Sequence, residues 1–187
     1  MNTLEQAFST IKRTDFLPAG AHGLASVDAP LSIGHEQTNS QPSTVKVMLE
    51  LLDVQPGHRV LDIGAGSGWS SALLGYLVGE QGEVTGVERI PELVSLARSA
   101  NAKQNQPWVQ IRQAEGGVLG APEDAPFDRI LVSAMAYALP EQLVEQLGEG
   151  GVMVIPVADE MLRVRRSGMD TKITRHGQFR FVPLHED

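Results

Sequence analysis

From residue 59 onward, short branched apolar runs alternate with amphipathic stretches, and the alternation predicts strand, helix, strand in regular succession. Strands are predicted over 59–63, 83–87, 108–112, 127–132 and 151–155. Helices are predicted over 69–78, with Ala72, Leu73, Tyr76 and Leu77 inward, from 91 to about 103, and over 140–147, where Leu139, Leu143 and Leu147 recur four apart. Pro91 suits a first helical position, because its missing N–H would have no partner there. Such alternation calls for a three-layer α/β/α sandwich, a mostly parallel sheet with helices on both faces. After residue 160 the pattern changes. Short strands at 161–166, 171–174 and 179–183, separated by Gly168 and Gly177, give hairpin signals and an antiparallel C-terminal edge.

Ahead of this core, residues 2–12 carry Leu4, Ala7, Phe8 and Ile11 on one helical face. Residues 20–43 have no clean period and hold Pro30, Gly34 and Pro42. They read as a long loop, of a length that usually has a task. A helix follows over 43–52. The chain therefore reads as one domain over 1–187, with an N-terminal helix and loop in 1–42 and a sheet-and-helix core in 43–187.

The first predicted strand runs into Gly64-Ala65-Gly66-Ser67-Gly68, with a helix directly behind it. Strand, glycine turn and helix let backbone N–H groups and a helix N-terminus approach a ligand, and glycine spares it a Cβ. The spacing is Gly-x-Gly-x-Gly, not the Gly-x-Gly-x-x-Gly of nicotinamide proteins, and no Gly-Lys-Ser/Thr follows as in a phosphate-binding loop. Asp62 sets a carboxylate at the strand's end, which favours an amine-bearing ligand. Glu88 ends the second strand, where a ribose diol can be hydrogen-bonded. A nucleoside with an amino-acid tail fits this set better than a pyrophosphate. Plainer roles also fit: Asp62 capping the turn, Glu88 paired with Arg89 or Arg59, and Trp69 and Trp108 packing the sheet.

Composition narrows the field. The chain has no cysteine, which excludes disulfides and thiolate chemistry, and its five histidines show no metal-ligand spacing. No apolar run reaches membrane-spanning length, and the first residues lack a secretion signal, so a cytoplasmic protein without membrane contact is expected. A formal charge of −8 argues against a nucleic-acid surface. Arg163, Arg165, Arg166, Lys172, Arg175 and Arg180 gather near the end, as a wet strand face or as a surface for an acidic polypeptide.

Several segments carry a resemblance. Residues 32–42, Ser-Ile-Gly-His-Glu-Gln-Thr-Asn-Ser-Gln-Pro, together with 60–68, 84–90, 127–132, 140–147, 150–157 and 181–184, resemble the protein-L-isoaspartate (D-aspartate) O-methyltransferases, within the class I S-adenosylmethionine-dependent methyltransferases. The likeness covers nearly everything from about Phe16. It implies a Rossmann-like methyltransferase fold with a seven-stranded sheet. It also implies S-adenosylmethionine as methyl donor, S-adenosylhomocysteine as product, isoaspartyl-containing proteins or peptides as acceptors, protein repair, and a cytosolic monomer.

By the same resemblance, Asp62, Gly64, Gly66 and Gly68 would line the methionine and ribose side of the cofactor, and Glu88, with Arg89 beside it, would bind the ribose. Glu115 and Gly116 would lie near the adenine, and Ser40, beside Thr38, would face the acceptor carboxylate. From the residues alone, Ser40 also reads as a cap ahead of Pro42, Glu115 as an exposed loop acid and His35 as a surface histidine. The chain departs from the family at Asn39, where an apolar residue is usual, at Glu115 and Gly117, and in having no counterpart of the family's first helix before Asn2. A carboxylate is already ionised near neutral pH, so methylating it needs no strong general base. Two other readings share these residues: a same-fold O-methyltransferase acting on another peptide carboxylate or a small molecule, and a non-catalytic S-adenosylmethionine-binding protein.

Overall fold

The computed structural model describes residues 3–185. The predicted N-terminal helix is α1, Thr3–Thr10; residue 2, its expected first position, lies outside the described residues. Two short 3-10 turns follow, Arg13–Phe16 and Ala19–Leu24. The segment 20–43, expected to be irregular, contains a hairpin: β1, Leu31–Gly34, pairs antiparallel with β2, Gln37–Asn39. Its two-residue turn places His35 and Glu36 at φ 54° and 59°. That is the primed turn matching the twist of paired strands, built without the Asn-Gly or Asp-Gly signal that would have announced it.

Helix α2, Pro42–Leu52, leads into the main sheet. Its elements are β3 (Arg59–Ile63), α3 (Trp69–Val78), β4 (Glu83–Glu88), α4 (Pro91–Ala102), β5 (Val109–Gln113), β6 (Phe127–Val132), α5 (Glu141–Glu145), β7 (Leu147–Val157), β8 (Glu160–Ser167) and β9 (Asp170–Gln178). The seven strands lie in the order β5-β4-β3-β6-β7-β8-β9. The first four pairings are parallel, and β8 and β9 add antiparallel. The chain winds from β3 toward β5 and then returns to lay β6 on the other side. The strand order therefore switches between β3 and β6, where open sheets of this kind bind ligands at the strands' carboxyl ends.

The expected strand at 179–183 is absent. Met135 instead donates its N–H to the Val182 carbonyl (2.8 Å) and accepts from the Leu184 N–H (2.8 Å), in a single parallel bridge opposite Pro183. This pairing asks nothing of Pro183, which has no N–H to give. It draws the C-terminal segment back over the sheet's carboxyl edge.

Helices cover both faces of the sheet, as expected, but unequally. Val60, Val84, Leu131, Val152 and Val154 pack under α1, α2 and α3, while α4 covers Ile111 on the same side. The other face, with Leu61, Ile63, Ile130, Val132, Met153 and Ile155, is closed by the five-residue α5 and the chain leading to it. Between β5 and β6 the chain makes only a 3-10 turn, Pro122–Asp124, and buried Gln146 clamps the connection. Its Oε1 accepts from the Ala121 N–H (2.9 Å), and its Nε2 donates to the Leu119 carbonyl (2.8 Å).

Gly68 is a packing residue. It has φ +89°, and a Cβ there would overlap Asn101 Nδ2 and lie 3.0 Å from Ala97 Cβ, both on α4. Gly68→Ala is expected to lower stability by about 1–3 kcal/mol, through backbone strain and overpacking, as read by urea unfolding.

Candidate active site

A cleft of about 290 Å³ opens at the switch point, at the small end of the range for small-molecule sites. Its floor is the turn from Ile63 to Ser67. Glu88, Arg89 and Ile90 wall one side, residues 114–116 and 118–120 close one end, and Gln37 to Ser40 from the hairpin close another. Ser133, Ala134 and the C-terminal residues 182–185 complete it.

The turn is held mostly by the end of β4. Gly64 and Ala65 both donate their N–H groups to the Val87 carbonyl (3.0 and 3.1 Å), and Gly68 donates to the Ala65 carbonyl (2.8 Å). Gly66 donates to Glu88 Oε2 (2.9 Å). The N–H groups expected to reach a ligand are thus largely consumed by the protein, and what Gly64 and Gly66 offer the cleft is backbone without a Cβ. Glu88 is buried, and its Oε1 accepts from the Ile90 N–H (2.9 Å). It makes no ion pair among the described residues, and Arg59 bonds Glu83 (3.4 Å). A carboxylate has about four acceptor positions, so Glu88 retains capacity toward the cleft.

Asp62 and Gly68, expected beside the ligand, do not line the cleft. Asp62 is fully buried beneath the turn, where Oδ2 accepts from the hydroxyls of Ser70 (2.7 Å) and Ser71 (2.6 Å) and Oδ1 has no partner among the described residues. Burial pushes this carboxyl up to about 6; the two serine hydroxyls pull it back, and nearby Glu88 adds to the rise. A folded-state value above the usual 3.8 means the folded protein binds this proton more tightly than the unfolded chain does. The cost of ionising Asp62 is therefore absent below about pH 4 and complete above about pH 6. The Asp62→Asn variant is expected to gain stability relative to the wild type across that window, by about 3 kcal/mol, and to hold the gain above it. Paired urea titrations at a series of pH values check this.

Arg89, Glu115 and Gly116 line the cleft from exposed positions. Trp69 lines it too, edge-on to Phe8 (centroids 5.6 Å apart), whereas Trp108 bonds the Gly75 carbonyl (2.8 Å) away from it. Thr38 and Ser40 enter from the hairpin side. Ser40 does not cap α2: the N-cap position is Gln41 without a side-chain cap bond, and Asp28 Oδ1 accepts from the Ser43 N–H (2.9 Å). Its carbonyl accepts from Arg13 (3.0 Å), while its hydroxyl has no partner among the described residues.

Arg13, Asn39 and Ser67 carry an arrangement that no local pattern announces. Arg13 is buried and makes no ion pair among the described residues. Its guanidinium donates to the carbonyls of Ala25, Val27, Ala29, Asn39 and Ser40 and to Asn39 Oδ1 (2.8 Å), and it lies 5.4 Å from the Trp69 ring centre. Burial lowers its pKa, and the Asp28 charge opposes that. Buried Asn39 in turn donates from Nδ2 to Ser67 Oγ in the glycine turn (3.3 Å). Asn39 was visible as a departure from an apolar position; a lone arginine among polar residues gives no sign that it will be buried.

Among known proteins, a family model described as protein-L-isoaspartate(D-aspartate) O-methyltransferase (PCMT) matches residues 1–187. A protein-L-isoaspartate O-methyltransferase of Methanopyrus kandleri is 43% identical over 189 residues, covering 98% of this chain and 83% of that one. A solved protein-L-isoaspartate O-methyltransferase superposes with a TM-score of 0.90 at 26% identity, over 99% of this chain and 62% of that one. A Plasmodium falciparum structure described as a putative protein-L-isoaspartate O-methyltransferase in complex with S-adenosyl-L-homocysteine has the same fold. Its TM-score is 0.83 at 24% identity, over 100% of this chain and 92% of that one.

Proposed function

The chain belongs to the protein-L-isoaspartate(D-aspartate) O-methyltransferase family, and from that premise we propose how its cleft is used. The protein is an S-adenosylmethionine-dependent carboxyl O-methyltransferase that methylates the carboxylate of L-isoaspartyl residues in proteins or peptides. The cleft suits this cofactor: the floor at Gly64 and Gly66 bears no side chain, and Glu88 has acceptor capacity for a diol. Glu88 holds the ribose hydroxyls, Arg89 flanks them, and Glu115 and Gly116 border the adenine. Gly64 and Gly66 carry the remainder, with Asp62 and Gly68 supporting the turn from behind. Bound there, the cofactor supplies a methyl group on a positively charged sulfur, ready for displacement.

The acceptor side falls to Ser40, with Thr38 beside it. The Ser40 hydroxyl donates one hydrogen bond to the acceptor carboxylate and fixes which oxygen faces the methyl group. Positioning is the main source of rate here, because the nucleophile needs no deprotonation. The observation that carries this assignment is a half-buried serine hydroxyl, unpaired within the described residues, in the same cleft as Glu88 and the glycine turn.

The test feeds labelled S-adenosylmethionine with matched isoaspartyl and aspartyl peptides. Label is expected on the isoaspartyl peptide alone; equal, negligible labelling of both by folded protein would sink the reading. Action as a cytoplasmic monomer in protein repair, without nucleic-acid or membrane partners, is part of the same proposal. It is consistent with the net charge of −8 and with the lack, among the described residues, of a helix long and apolar enough to cross a membrane. Light scattering on the purified protein tests the monomer.

A further inference from the structure

Three side chains connect the two halves of the cleft, and their hydrogen bonds run in one direction. The Arg13 guanidinium can only donate, so the amide of Asn39 must present Oδ1 to it and Nδ2 to the other side. Nδ2 then donates to Ser67 Oγ, which leaves the Ser67 proton free to point elsewhere. Ser67 is buried and lines the cleft at the glycine turn, and Asn39 lies between Thr38 and Ser40 on the hairpin. The chain begins at a buried cation with no ion pair among the described residues. Such a chain polarises each bond in it and is strengthened by low dielectric. The same guanidinium also grips the Asn39 and Ser40 carbonyls (3.2 and 3.0 Å), so the backbone that carries the Ser40 hydroxyl is fixed by the group that anchors the chain.

We propose that Asn39 is a positioning residue that couples the acceptor side of the cleft to the cofactor side, tying the Ser40 segment to the glycine turn through Arg13 and Ser67. Occupancy of the turn then sets where Ser40 stands, and the two sites communicate through one buried amide. An apolar side chain at this position could make neither side-chain bond, so the coupling depends on the Asn39 amide. Because coupling between two sites is reciprocal, an acceptor seated at Ser40 changes affinity at the turn by the factor by which a ligand at the turn changes affinity for the acceptor. The inference rests on the functional reading above for its kinetic consequence, but not for its structural one.

The test uses the full chain with S-adenosylhomocysteine as probe. Two variants are compared with the wild type: Ser67→Ala, which removes only the link to the turn, and Asn39→Leu, which removes both bonds. Ser67→Ala keeps the Arg13–Asn39 bond and so guards against a misfolded Asn39→Leu. Hydrogen exchange is followed over residues 37–41 and 64–69 with and without the probe. In the wild type the probe is expected to slow exchange in both segments; in Ser67→Ala it should slow exchange in the turn and lose at least half its effect on 37–41. Equal protection of 37–41 in wild type and both variants overturns the coupling. So does a wild type in which the probe protects the turn alone.

With an isoaspartyl peptide, Asn39→Leu is expected to lower kcat about tenfold or more, since small misplacements of reacting groups are costly in rate. Affinity for S-adenosylhomocysteine should change less than about threefold. Unchanged kcat with loss of cofactor affinity would make Asn39 part of the cofactor site and overturn the positioning role. A wild type that binds the probe and shows the coupled protection, but methylates no isoaspartyl peptide, refutes the functional reading and leaves the coupling standing.

Discussion

The Glu88→Ala variant is expected to bind S-adenosylhomocysteine about a hundredfold more weakly than the wild type, or worse. Two losses act together. The variant can no longer accept from ribose hydroxyls, and a hydrogen bond to a charged group is worth about 1.5–3 kcal/mol, where 1.4 kcal/mol is tenfold in affinity. It also strands the N–H groups of Gly66 and Ile90, both of which end on the Glu88 carboxylate at 2.9 Å. With Gly66 released, the floor of the cleft must be re-formed each time ligand binds. Part of the loss therefore appears in the melting curve of the free protein and part in calorimetric affinity. The Glu88→Gln variant keeps the volume and one carbonyl acceptor and should fall between the two. Wild-type affinity in Glu88→Ala would place the nucleoside away from this carboxylate.

For Ser40→Ala the expected pattern is the reverse. Methyl transfer to an isoaspartyl peptide should fall roughly a hundredfold, because the acceptor oxygen loses the bond that orients it and a misplacement of about 1 Å carries a cost of that size. Affinity for S-adenosylhomocysteine and the melting curve should stay near wild type, since the hydroxyl caps no helix and bonds nothing among the described residues. A drop in stability with turnover intact would return Ser40 to a structural role. Initial rate, product affinity and melting temperature measured on one preparation separate these outcomes.

The legibility of this chain follows the locality of its signals. The elements β3, α3 and β6 fall at the predicted boundaries, because branched apolar runs and the glycines between them act over a few residues. The hairpin β1–β2 was missed, since its turn uses His35 and Glu36 at positive φ, which side-chain type does not advertise. The expected helix over 140–147 shrinks to α5, and β7 begins at Leu147, as the Gly148–Gly151 stretch is absorbed into a strand irregularity opposite β6.

The candidate site divides in the same way. Glu88 and the glycine turn could be read from strand ends, whereas Ser40 entered through the resemblance carried by residues 32–42. The burial of Asp62 behind the turn, the packing of Gly68 on α4, and the chain from Arg13 to Ser67 depend on contacts between distant segments. No local pattern encodes such contacts.

The unequal cover of the sheet has a consequence for how the molecule comes apart. On one side four helices share a continuous core with β3, β4 and β6, so opening it exposes much of the apolar interior at once. On the other, the run from Ala114 to Leu119 is tethered at its ends, by the Ala114 N–H to the Glu88 carbonyl (2.9 Å) and by the Gln146 clamp, with Glu115, Gly116, Gly117 and Val118 exposed between. Exposed backbone with few buried contacts opens at small free-energy cost, well below that of global unfolding. The end of the cleft formed by this run can therefore loosen while the strands beneath it remain paired. A nucleoside product would have a way out that leaves both the glycine turn and the Ser40 segment in place, ready for the next turnover.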